Sequence, residues 1–139
     1  MVDVVPFVGY EDCGAAADWL VRAFGFVEVE RIEEDGVVGH VTLRAGDGLV
    51  FLGHPGRDYL DPIRLRERCD AVHRMHQVPW IVDGVWVAVD DVDTQTERAC
   101  AAGARILSEP ADTPHGRQVR VEDPAGHRWM LQRRIPLSG

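Results

Sequence analysis

One plan is written twice along this chain, and that repeat limits the available folds more than any single motif does. Residues 4–10 (VVPFVGY) form an apolar run suited to a strand. Asp12 stands where a side chain can cap a helix over about 13–24, in which Ala16, Leu20, Ala23 and Phe24 recur near helical spacing. Gly25 stands where a helix stops. Residues 27–32 alternate like a half-buried strand, and Asp35-Gly36 signals a turn. A third strand is expected over about 37–44, and Gly46-Asp47-Gly48 turns it into a fourth, Leu49–Leu52. The order is strand, helix, three strands.

The same order returns from residue 84. Residues 84–89 (GVWVAV) read as a strand, and Thr94 with Glu97 forms a capping-box pair for a helix running to about Ala102, where Gly103 stops it. Asp12 and Gly25 are thirteen residues apart, as are Asp90 and Gly103. Strands follow at Arg105–Leu107, Gln118–Val121 and Arg128–Leu131, the last two joined by the turn Asp123-Pro124-Ala125-Gly126. Such a repeat signals paired supersecondary units that bury a shared core. Module one is placed at about 4–54 and module two at about 83–134, within a single domain spanning 1–139. The connector, 55–82, holds Pro55, Gly56, Pro62 and Pro79 and predicts a helix near 63–76 with Leu65, Cys69, Val72 and His76 inward. It is expected to lie across one mouth of the domain.

Composition narrows the function. The 139 residues carry 15 basic and 23 acidic side chains, a formal charge of −8, which argues against a nucleic-acid backbone as partner. The dense basic run, Arg64, Arg66 and Arg68, reads as a solvated helix face. There is no lysine to form a Schiff base, and neither Ser108 nor Ser138 sits in a nucleophile elbow. Cys13, Cys69 and Cys100 are odd in number and lack a C-x-x-C spacing, which suggests reduced thiols in a cytoplasmic protein. No signal peptide and no membrane span are expected. Cys13 opens a helix, where a thiol pKa can fall, but no orienting base accompanies it. Cys69, His73 and His76 share one side of the connector helix without matching a zinc module, so packing is the expected role. Glu122-Asp123 reads as turn chemistry before Pro124, not as a catalytic carboxylate pair.

Residues 6–26 (PFVGYEDCGAAADWLVRAFGF), 85–104 (VWVAVDDVDTQTERACAAGA) and 119–131 (VRVEDPAGHRWML) resemble the two openings and the closing hairpin of the glyoxalase/bleomycin-resistance/dioxygenase superfamily, also called vicinal oxygen chelate proteins. The resemblance implies an α+β fold of two βαβββ modules whose curled mixed sheets surround a cleft, usually in a homodimer. It also implies, for the enzymes of the family, a divalent metal held by His, Glu or Gln on the first and last strands of each module. Carried over residue by residue, those positions are Val5, Phe51, Gly84 and Met130. None can ligate a hard metal, and a thioether is a poor substitute for oxygen or imidazole.

Strand alternation then fills the implied cleft differently. Phe7, Phe51, Trp86 and Met130 are expected to line it, with Arg128 and Gln132 as polar points and His40 and Thr42 entering from the third strand. An apolar, aromatic cavity with few polar anchors suits a planar organic ligand. The leading reading is a metal-independent binding protein, not an enzyme and without a cofactor, that sequesters an aromatic antibiotic or metabolite. The rival is a metal-dependent lyase, isomerase or dioxygenase of the same superfamily with unconventional ligands such as His40, His115 or His127.

Overall fold

The computed structural model describes residues 2–80 and 84–134, and the chain divides into two compact units, residues 1–61 and 62–139. The first unit runs β1 (Phe7–Gly9), α1 (Cys13–Phe24), β2 (Val27–Glu34), β3 (Val37–Ala45) and β4 (Gly48–Gly53). Its sheet order is β1-β4-β3-β2. Only β1 and β4 run parallel, as a crossover through a helix permits. Asp12 is extended and accepts the Ala15 N–H at 3.0 Å, which starts α1. Gly25, at φ 73°, ends it. Ala17, Leu20 and Ala23 are buried on α1, and Val41, Leu43, Val50 and Leu52 are buried on the strands it packs against. Each large side chain so buried contributes roughly 1.5–3 kcal/mol. Asp35 and Gly36 both take positive φ, 51° and 78°, and close the β2–β3 hairpin.

The predicted connector divides. Its first part belongs to the first unit: Tyr59 Oη donates to the Gly9 carbonyl at 2.8 Å, and the Glu11 and Asp61 backbone amides donate to each other's carboxylates at 2.8 and 3.1 Å. Its second part belongs to the second unit, where the Ile63 N–H donates to the Ala125 carbonyl at 2.9 Å.

The second unit contains α2 (Pro62–Arg68), α3 (Asp70–Met75), β5 (Val85–Val89), α4 (Val92–Ala101), β6 (Arg105–Thr113), β7 (Gly116–Glu122) and β8 (Arg128–Arg133). Its sheet order, β5-β8-β7-β6, repeats the first. The molecule is therefore α+β, built from two similar four-stranded modules. Several expectations shift. The single connector helix breaks at Cys69, whose backbone is extended (φ −140°, ψ 113°); of the residues expected to face inward, Leu65 is exposed and His76 is buried. The cap of α4 is Asp91, whose carboxylate accepts the Thr94 N–H at 3.1 Å; Thr94 lies inside the first turn and Asp90 outside the helix. β6 runs on to Thr113 because shifts around Ser108 carry it past Pro110, which has no N–H to donate. Val119, Val121, Trp129 and Leu131 form the core under α4. Among the described residues no helix is long and apolar enough to cross a membrane.

Candidate functional site

In the first unit, Phe7, Phe51 and Thr42 stand side by side across β1, β4 and β3. Alternation turns Val8 into the core and leaves Phe7 61% exposed. The Phe7 ring lies over Gly53, where a Cβ would come within 2.5 Å of it. His40 meets Phe51 edge-on with ring centroids 5.2 Å apart, and its Nε2 lies 2.8 Å from Thr42 Oγ1. Phe7, His40, Thr42 and Phe51 thus share one face of this sheet, an aromatic surface carrying one small polar pair.

In the second unit the equivalent row is Trp86, Met130 and Arg120 across β5, β8 and β7. A cleft of about 150 Å³ opens over it, lined by Pro79, Trp80, Trp86, Arg120, Arg128 and Met130 among others. Trp80 is 59% exposed and Trp86 61%. Met130 forms part of the floor, and Val85 and Trp129 also line the cleft.

The expected polar points, Arg128 and Gln132, are both buried. Gln132 Nε2 donates to the His115 carbonyl at 2.7 Å. Arg128 donates to the carbonyls of Val78 and His76 and lies 3.4 Å from the Glu122 carboxylate. Burial holds this guanidinium below its ordinary range, and Glu122 opposes that shift. Arg128 therefore fastens the backbone at His76 and Val78 to the sheet while lining the cleft. Glu122 is not turn chemistry: it is buried and also receives Arg66 at 2.9 Å and Arg105 at 3.6 Å. Arg66 is thus no solvated residue. Asp123 does fill the turn role, accepting the Ala125 and His127 amides at 3.1 and 2.9 Å and Trp129 Nε1 at 3.0 Å.

Arg120 went unremarked in the sequence. It is half-buried, lines the cleft, and its guanidinium has no hydrogen bond or ion pair among the described residues. A signal for it existed. A turn that pairs Glu122 with Arg128 must pair Arg120 with Met130. Cys13 moves the other way from a reactive thiol: burial first, then Asp12, pushes its pKa up to about 11. Among the described residues no three His, Cys, Asp or Glu side chains converge as a metal would require, Cys69, His73 and His76 included.

Residues 5–131 match the family described as the Glyoxalase/Bleomycin resistance protein/Dioxygenase superfamily. The chain belongs to that superfamily. An uncharacterized protein of Mycobacterium bovis is 30% identical over 133 residues, 91% of this chain and 79% of that one. The crystal structure of TioX from Micromonospora sp. ML1 is 32% identical with a TM-score of 0.70, covering 97% of this chain and all of that one. The bleomycin-binding protein of bleomycin-producing Streptomyces verticillus, solved with copper(II)-bleomycin, is 19% identical with a TM-score of 0.62, covering 97% and 98% of the two chains. That likeness is one of fold. The positions at which the superfamily resemblance implies metal ligands are Val5 and Phe51 in the first unit and Gly84 and Met130 in the second. These residues offer two hydrocarbon side chains, no side chain and a thioether, so the donor set does not fit a hard divalent ion.

Proposed function

We propose that this chain binds a small, partly aromatic organic molecule without a metal ion, capturing an antibiotic or related metabolite one to one. No bond is made or broken in this reading. The observation that carries it is the chemistry of the four superfamily metal positions, Val5, Phe51, Gly84 and Met130, beside exposed aromatic faces at Phe7 and Trp86. Support comes from the bleomycin-binding protein, which shares the fold. The reading includes a homodimer, as the family resemblance implies, and a cytoplasmic location, as the odd and widely spaced cysteines suggest.

The test is equilibration of the purified chain with Mn, Fe, Co, Ni and Zn, followed by dialysis and elemental analysis, alongside turnover assays with a hemithioacetal and a catechol. The expected result is well under one metal per chain and no turnover. One tightly held metal per chain, lost on substituting His40, His115 or His127 and accompanied by chelator-sensitive turnover, would establish the rival lyase, isomerase or dioxygenase instead.

A further inference from the structure

The charge around the second unit's cleft is out of keeping with the rest of the chain. The protein carries a formal charge of −8, yet Arg66, Arg105 and Arg128 all converge on the single carboxylate of Glu122. Arg120 adds a fourth guanidinium two residues along the same face of β7. Glu122 is already shared three ways, so this face keeps an excess of positive charge. Arg120 lies half-buried at the cleft without a partner among the described residues. A partly desolvated guanidinium attracts an anion more strongly than one in open water does.

The apolar side of the cleft limits what that anion can be attached to. Trp80 and Trp86 leave more than half of their surface uncovered, and Met130 lies in the row between Trp86 and Arg120. Indole faces and a thioether favour a flat ring. A volume of about 150 Å³ falls below the 300–1,000 Å³ range of sites for whole drug-sized molecules. It suits a segment of one or two rings.

We infer that this cleft takes an anionic aromatic group, its ring against Trp80 and Trp86 and its anionic oxygen paired with Arg120. The inference rests on the small-molecule reading above and adds the ligand's charge and the residue that selects it. Arg128 is less suited to that role, because its Nη1 and Nη2 are engaged by the carbonyls of Val78 and His76 and its remaining donor, Nε, is itself buried.

Three probes of one shape test it: 2-naphthoate, neutral 2-naphthamide and cationic 2-naphthylmethylammonium, titrated calorimetrically into the 139-residue chain at low salt. Naphthoate is expected to bind about tenfold more tightly than the amide, the margin that one charge-assisted pair supplies. Its affinity is expected to fall as salt rises. R120Q removes the preference by bringing the naphthoate down to about the amide's affinity, and R120K, which keeps the charge, retains most of it. Equal binding of the three probes, tightest binding of the ammonium, or a preference that survives R120Q would overturn the anionic assignment and leave the small-molecule reading standing. Failure of all three to bind would overturn the assignment of an aromatic ring to this cleft.

Discussion

His76 is buried beside Arg128 and Arg66, and its Nδ1 has no partner among the described residues. Burial, then the two arginines, lowers its pKa; Glu122 pulls the other way and His127 adds a small push down. The sign of the pH dependence follows. Above the ordinary histidine value of about 6.5 both folded and unfolded chains hold His76 neutral. As the pH falls below that value, the unfolded chain takes up a proton that the folded chain refuses, so stability drops until the folded pKa is passed. Thermal unfolding between pH 7 and pH 5 is therefore expected to show a falling melting temperature, with H76Q showing a smaller fall because it keeps a neutral polar side chain. An H76Q slope equal to the parent's would remove His76 from the account. The environment of His76 was hidden in the sequence because its charged neighbours come from α2, β7 and β8. Arg128 misled for the same reason. Alternation assigned its face, and only the folded chain reveals that backbone carbonyls some fifty residues earlier occupy its Nη1 and Nη2.

Elements were legible where local chemistry decides them. Asp12 and Gly25 bound α1 because a carboxylate can take a free amide and glycine can take positive φ. Thr94 and Glu97 also had capping chemistry, but Asp91 lies nearer the strand end and closes the first turn itself. The break at Cys69 carried no glycine or proline to announce it. The turn between β7 and β8 was legible as well, and it makes a sharp test. Gly126 has φ 97°, and a Cβ there would lie 2.6 Å from the Ile63 backbone nitrogen, itself bonded to the Ala125 carbonyl. G126A combines backbone strain of about 1–3 kcal/mol with a clash against main chain that has no side-chain freedom to yield. A loss of at least about 2 kcal/mol is expected in urea unfolding, or roughly 8 °C in melting temperature. A loss below about 0.5 kcal/mol would mean that α2 moves away from the turn at little cost.

The repeat made the two-module architecture readable, because each copy shows the same succession of periods and stops. Of the rings lining the second unit's cleft, Trp86 was among the expected residues and Trp80 was not, and Arg120 stands out once the other arginines are seen to share Glu122. Assembly is the step that extends beyond one chain. Phe7, Trp80 and Trp86 each keep more than half their surface uncovered, as do Val2, Val4 and Val37, a large apolar exposure for a chain whose charge of −8 keeps it dispersed. The proposed homodimer should weigh twice 15.5 kDa in sedimentation equilibrium at micromolar concentration. Phe7 separates two uses of that surface. Phe7 on the ligand-facing side of its sheet predicts that F7D keeps the dimer mass. If F7D instead sediments at 15.5 kDa with probe affinity intact, Phe7 belongs to the contact between copies and the first unit's aromatic face is an interface, not a ligand surface.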